Sequence, residues 1–76
     1  MRRRMAYRKR RELLRKGAEI IEEGRIKDDN GKYYPEGYYV DFNYLGWQVG
    51  APGDDMLDAY NGALYAARTC EEEPRD

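Results

Sequence analysis

The clearest periodicity in the chain lies in its middle, where large apolar residues alternate with more polar ones. Residues 38–43 divide into two sets by this alternation, Tyr38, Val40 and Phe42 against Tyr39, Asp41 and Asn43. A period of two is typical of a strand with one face on a core. Gly46 suits the positive-φ position of a turn over residues 43–46, and Trp47 and Val49 continue the inward face beyond it. The pattern predicts a β-hairpin with one aromatic, buried face.

The N-terminal third has its apolar residues at helical spacing. Leu13, Leu14, Ile20 and Ile21 fall on one face when the chain is projected as a helix. This spacing predicts a helix from about Met5 to Glu23, ended by Gly24. Arg10 occupies the same face one turn earlier, so we expect only the second half of this helix to dock. The first half should project into solvent.

The segment between these two elements contains turn-forming residues. Asn30-Gly31 favours a two-residue hairpin turn, with Arg25–Lys27 as a short strand before it and Lys32–Tyr34 as the return. Pro35-Glu36-Gly37 then interrupts the extended pattern. The sequence leaves open whether residues 25–34 pair as a small hairpin or form an irregular excursion.

A second helix is predicted near the C-terminus. Residues 50–53 form a linker, Asp54 suits the N-cap, and the helix runs from Asp55 to about Cys70. Its apolar face contains Met56, Tyr60, Ala63, Leu64 and Ala67, and the opposite face contains Asp58, Asn61, Tyr65 and Arg68. Residues 71–76 form an acidic tail that we expect to be mobile.

The order of these elements predicts the fold class. An α+β domain, with two helices packed on one face of a small three-stranded antiparallel sheet, is the simplest layering that buries both apolar stripes. The predicted organisation is a basic arm over residues 1–11, a single domain over residues 12–70 and the acidic tail over residues 71–76.

Composition excludes several chemistries. The chain has 76 residues, one cysteine, Cys70, and no histidine. It therefore cannot form an internal disulfide, a Cys/His zinc site or a Ser-His-Asp triad. The run Asp28-Asp29-Asn30-Gly31 lacks the alternating ligands and the sixth-position glycine of a calcium loop. We expect no enzymatic activity, no metal and no cofactor.

Apolar runs are only a few residues long, far short of the roughly 20 that a membrane-spanning helix needs. No apolar stretch follows the basic N-terminus, as a secretory signal would require. We therefore expect a cytoplasmic protein that does not insert into membranes.

Charge is distributed very unevenly along the chain. Residues 1–16 contain nine Lys or Arg and one acid, a net charge of +8, whereas residues 17–76 contain five Lys or Arg and fourteen acids, a net charge of −9. Opposite halves of this kind favour an anionic partner for the basic segment or head-to-tail contact between copies.

The basic segment supplies the candidate nucleic-acid-binding residues, which are Arg2, Arg3, Arg4, Arg8, Lys9, Arg10 and Arg11. Arginine suits bidentate phosphate contacts, and such contacts bind the backbone with little sequence preference. We therefore expect a small accessory or regulatory protein that binds nucleic acid through an arginine-rich N-terminal helix. A protein partner, including a second copy, and a solvated tail without a specific role are the alternatives for this segment.

A protein-partner module is the alternative function. Tyr39 and Tyr65 are placed outward by their patterns, and Asp58 lies in an acidic region, so these three are the candidate partner-binding residues. Exposed tyrosines anchor many protein interfaces. A phage-type inhibitor or an assembly subunit would use such a surface, and an acidic body can also imitate nucleic acid.

The helix–strand–strand–strand–helix order resembles the double-stranded RNA-binding domain. The closest part runs from Tyr39 to Gly50, then through Ala51-Pro52-Gly53 into a helix rich in alanine. That resemblance implies the same layout. The RNA-binding lysines of that family stand at the start of the last helix, where this chain has Asp54 and Asp55. The resemblance therefore argues against RNA binding through that helix.

Overall fold

The α+β arrangement expected from the sequence is present in a computed structural model that describes residues 2–75. The elements are α1 (Arg2–Arg15), β1 (Glu19–Lys27), β2 (Tyr33–Tyr44), β3 (Trp47–Gly53) and α2 (Met56–Glu72). The three strands pair antiparallel in the order β1-β2-β3, so β2 is central. This order has the layout of the double-stranded RNA-binding domain.

The predicted alternation on β2 is confirmed. Val40, Phe42 and Tyr44 are buried, and they pair across to Ala51, Val49 and Trp47 on the same face of β3. The positive φ predicted for Gly46 (86°) is confirmed and Leu45 has one as well (50°), but the turn lies one residue later than predicted, between the paired residues Tyr44 and Trp47. Two positive φ angles match the twist of a two-residue hairpin, which makes the β2–β3 pair tight.

Both helices cover the inward face of the sheet. Tyr60, Ala63 and Ala67 of α2 are completely buried and pack in one cluster with Leu13 of α1 and Phe42 of β2. The predicted apolar face of α2 is therefore confirmed. Its alanines let the helix approach the sheet closely, because they add little bulk between the two layers.

The prediction that the first helix runs to Glu23 is wrong. α1 ends at Arg15, Gly17 takes a left-handed φ of 101°, and β1 begins at Glu19. Ile20 and Ile21 are β-branched and belong to a strand, where such side chains pack well. A bulge between Ile20 and Glu22 places Ile20 on the inward face of the sheet.

The prediction that the first half of this helix projects into solvent is also wrong. Ala6 is completely buried, as is Leu13 seven residues later, so α1 docks along most of its length. The two helices start together and end together: Arg2 lies beside Asp55, and Lys16 lies 3.1 Å from Glu71.

Residues 25–34 do pair as part of a hairpin, with Lys27 opposite Tyr33. The predicted two-residue turn is wrong, however, because the loop spans residues 28–32. The Asp28 carboxylate accepts hydrogen bonds of 2.9 Å from the backbone N–H groups of Asn30 and Lys32, and these bonds hold the longer loop. β2 also continues through Pro35 to Gly37 instead of being interrupted there.

The boundaries of the last helix differ from the prediction by one or two residues at each end. Residues 50–53 belong to β3 rather than to a linker, and Ala51 is buried. The N-cap is Asp55, not Asp54, since the Asp55 side chain accepts a hydrogen bond from the Asp58 N–H at 2.9 Å.

The C-terminal residues do not form a detached tail, contrary to prediction. Glu71 and Glu72 extend α2. The Trp47 indole N–H donates to the Glu73 carbonyl at 2.7 Å, and the Arg75 N–H donates to the Leu45 carbonyl at 2.8 Å. Met1 of the predicted arm and Asp76 of the predicted tail lie outside the described residues.

Candidate functional site

The exposed side of α1 carries a row of arginines. With 3.6 residues per turn, Arg4, Arg8, Arg11 and Arg15 fall within about 60° of one another, opposite the buried Ala6 and Leu13. All four are exposed. We call these four residues the arginine stripe. The stripe exists because the helix buries one narrow seam and leaves its opposite face in solvent.

No carboxylate neutralises the stripe within residues 2–75. The ion pairs in this part of the chain are formed by Arg2, Lys9, Arg10 and Lys16. The four guanidinium groups of the stripe are therefore available to an external anion. Arginine offers five donors in a planar fork, which matches the oxygen pairs of phosphate and carboxylate.

Arg2 has a different environment from the stripe. Its guanidinium lies 2.7 Å from the Asp55 carboxylate and 3.3 Å from that of Asp58. The hydrogen bond from Arg2 lowers the pKa of Asp55, and the Asp58 N–H contributes to the same shift. The pair is largely exposed, so salt screens it. Its effect is to hold the start of α1 beside the start of α2.

Arg10 belongs to the most enclosed polar cluster of the fold. Its guanidinium forms hydrogen bonds of 2.8 and 3.0 Å with the Glu23 carboxylate on β1, which also accepts a hydrogen bond from the Tyr60 hydroxyl of α2. Burial tends to raise the pKa of Glu23, but the hydrogen bonds from Arg10 and Tyr60 outweigh burial and lower it. The pKa of Tyr60 is raised, chiefly by burial and then by the carboxylate. This cluster ties both helices to the sheet.

The seven basic residues predicted to form one site are therefore separated by the fold. Arg4, Arg8 and Arg11 lie on the stripe, whereas Arg2 and Arg10 pair with carboxylates. Arg3 is exposed, and Lys9 lies 3.8 Å from Glu12. Sequence reasoning missed Arg15. Its position four residues after Arg11 was the available signal, since residues four apart share a helix face.

The three residues predicted to bind a protein partner do not lie on one surface. Tyr39 is on the face of the sheet away from the helices, where its hydroxyl donates to Glu22 at 2.6 Å and the pKa of Tyr39 is raised to about 12. Tyr65 is 73% exposed on α2. Asp58 pairs with Arg2 at the start of α2. Tyr39 and Tyr65 would therefore contact different partners or different parts of one.

A groove of about 410 Å³ runs between the C-terminal half of α2 and the edge strand β3. It is lined by Trp47, Val49, Tyr65, Ala66, Thr69, Cys70 and Glu73. The lining is mostly apolar. The Arg75 guanidinium lies 5.0 Å from the centroid of the Trp47 ring and covers part of it.

Acid should destabilise the fold, because three carboxyl groups have lowered pKa values in it. These groups are Glu23, Asp55 and Glu71. Hydrogen bonds from Tyr44 and Lys16 lower the pKa of Glu71. Each group stabilises the fold fully above its ordinary pKa of 4.5 or 3.8 and loses that effect as the pH falls through the lowered value. We expect the free energy of unfolding to fall as the pH drops below about 5.

Urea unfolding followed by Trp47 fluorescence at several pH values would measure this dependence. In the variant Glu71→Gln the decline should be shallower than in the wild type, because one of the three lowered groups is removed. A free energy of unfolding that stays constant or rises on acidification would contradict the expectation.

No metal site is evident in residues 2–75, because no three Cys, Asp or Glu side chains in that span converge as ligands. No helix in the same span is long and apolar enough to cross a membrane. Comparison of the chain with protein-family models, curated proteins and solved structures found no significant match.

Proposed function

We propose that this chain is a non-enzymatic accessory or regulatory protein that binds the phosphate backbone of nucleic acid through the arginine stripe. One observation carries the proposal. Four arginines share the exposed face of α1, and no carboxylate in residues 2–75 neutralises them.

The spacing of the stripe supports contact with several phosphates. Successive stripe residues are three or four positions apart, which gives roughly 4.5–6 Å along the helix axis at 1.5 Å per residue. Arg4 and Arg15 are then about 16 Å apart. A helix is roughly 10–12 Å wide, close to the width of the DNA major groove. Because α1 is covered on one side only, its stripe is free to face such a backbone.

The charge at the start of α2 directs nucleic acid away from that end. In the double-stranded RNA-binding domain, which the layout resembles, lysines stand there and bind phosphate. Here the N-cap residue Asp55 and the first-turn residue Asp58 are held by Arg2. A polyanion would be repelled by these carboxylates, so we place its contact on α1.

Neutralising the stripe should abolish most of the binding. We expect the triple variant Arg4→Gln, Arg8→Gln, Arg11→Gln to lose about 100-fold in affinity for a fluorescent duplex at low salt. The matched control is Lys27→Gln, Lys32→Gln, Arg68→Gln, which removes the same charge from exposed positions outside α1. The affinity of the control for the duplex should stay within about threefold of the wild-type affinity.

The salt dependence of binding supplies a second readout. Four phosphate contacts predict a slope near −4 for log K against log salt, and the triple variant should reduce it to about −1. Duplex DNA, duplex RNA and a single strand should be titrated in parallel to identify the preferred form. The proposal fails if binding is insensitive to salt, or if the control variant loses as much affinity as the stripe variant.

A protein-partner module is the second candidate, and the groove between α2 and β3 favours it. Tyr65, which is 73% exposed, and Trp47 both line this mostly apolar groove. Aromatic side chains in such positions are common anchors of protein interfaces.

A further inference from the structure

The face of the sheet away from the helices is uncovered and acidic. From the strand register it comprises Glu19, Glu22, Gly24, Tyr39, Asp41, Asn43, Gln48, Gly50 and Pro52. We call this surface the outer sheet face. It contains three carboxylates and no lysine or arginine.

The arrangement of the carboxylates on this face destabilises the fold. Glu22 and Asp41 are directly opposite each other on neighbouring strands, and like charges in that position destabilise a sheet. No cation within residues 2–75 forms an ion pair with Glu19, Glu22 or Asp41. The only side-chain hydrogen bond to these carboxylates within residues 2–75 is the exposed one from Tyr39 to Glu22, so a basic partner would relieve the repulsion between them.

We propose that the outer sheet face docks the arginine stripe of a second copy of this chain. The two surfaces are complementary in charge, and each lacks a partner among the described residues. They also lie on opposite sides of the domain, the stripe on the far side of α1 from the core and the face on the far side of the sheet. A single chain therefore cannot join its own stripe to its own face.

The dimensions of the two surfaces are compatible. The molecule is a flat body with extents of 37, 30 and 15 Å, so its broad side can supply the roughly 800 Å² per partner of a standard interface. Gly50 lies beside Asp41, where an added Cβ would approach the carboxylate to 3.0 Å. The absence of a side chain there leaves Asp41 open to a guanidinium group.

Such a contact is heterologous, so it adds copies head to tail and need not close into a ring. The stripe serves both this contact and the nucleic-acid contact proposed above, so the two ligands compete for it. Self-association itself needs no nucleic acid, and it can be tested whether or not nucleic acid binds.

A charge-swap experiment by sedimentation velocity, without nucleic acid, tests the pairing. The stripe variant is Arg8→Glu with Arg11→Glu, and the face variant is Glu22→Lys with Asp41→Lys. At low salt the wild type should self-associate, and salt of about 0.5 M should dissociate it. Each variant alone should weaken self-association at least about tenfold, and their equimolar mixture should restore it.

The change in net charge made by the face variant needs its own control. Asp29→Lys with Glu36→Lys makes the same charge change as the face variant at exposed positions outside the outer sheet face. This control should self-associate like the wild type, whereas the face variant should not. Circular dichroism and thermal unfolding verify that every variant is folded.

Three results would overturn the proposal. If the wild type stays monomeric at low salt, the outer sheet face does not bind a second copy, and its partner would be a different basic molecule. Equal losses in the control and face variants would show that net charge, not this surface, matters. Unchanged association of the stripe variant would remove α1 from the contact.

Discussion

Replacing Glu23 with alanine should lower the free energy of unfolding by about 2–3 kcal/mol. Glu23 is the shared acceptor of a guanidinium from α1 and a hydroxyl from α2. Without it, the Arg10 charge remains half-buried and unpaired, and the hydroxyl of the completely buried Tyr60 loses its partner. Unsatisfied groups cost more than the net value of the bonds they made. Urea unfolding at neutral pH measures the change.

Glu22→Ala is the matched control, since Glu22 is the neighbouring residue on the exposed face and its bond to Tyr39 is in solvent. It should change the free energy of unfolding by less than about 0.5 kcal/mol. Tyr60→Phe should cost about 1 kcal/mol, because Glu23 keeps its bonds to Arg10. Equal effects of Glu22→Ala and Glu23→Ala would show that the cluster does not stabilise the fold.

A double-mutant cycle between Arg10→Ala and Glu23→Ala would measure their coupling. The two losses should be strongly non-additive, because the second substitution removes a group that the first has already left unpaired. Additive losses would mean that each residue acts through other contacts.

The β2–β3 hairpin was predictable because its signal is local. A period of two over Tyr38–Asn43 can be produced only by a strand, and Gly46 marks the turn within the same short stretch. The apolar face of α2 was predictable for the same reason, since one uninterrupted helix carries it. In both elements the pattern lies within a single piece of secondary structure.

The first helix was mispredicted because its apparent pattern spans two elements. Leu13 lies on α1 and Ile20 on β1, yet their seven-residue separation matches two helical turns. The helix was predicted to end at Gly24, but of Gly17 and Gly24 only Gly17 takes a positive φ, and the helix ends just before it. The β-branched pair Ile20-Ile21 was the local feature that favoured a strand.

The composition of the candidate site was only partly predictable. Local sequence locates the cluster of arginines, but their division into structural and free members depends on distant carboxylates. Arg10 pairs with a residue 13 positions away, and Arg2 with one 53 positions away. No local pattern reports such partners, so the stripe becomes visible only when the helix is placed on the sheet.

Replacing Gly53 with alanine should lower the free energy of unfolding by about 2 kcal/mol and the Tm by roughly 10 °C. Gly53 ends β3 against the first turn of α2. A Cβ there would collide with the backbone of Asp58 and Ala59, which cannot move without shifting the helix. The N-cap and the Arg2 contact lie in the same turn, so the whole helix start would be displaced. Thermal unfolding by circular dichroism measures the loss.

Gly62→Ala makes the same chemical change with the opposite expected sign. Gly62 is exposed inside α2, and a Cβ there would meet nothing closer than 3.9 Å. Alanine is favoured over glycine within a helix by about 1 kcal/mol, so this variant should be more stable than the wild type by about that amount. If Gly53→Ala were as stable as the wild type, β3 and α2 would not approach each other as closely as described. If both variants lost stability, α2 would lie closer to its neighbours at Gly62 than the distance of 3.9 Å indicates.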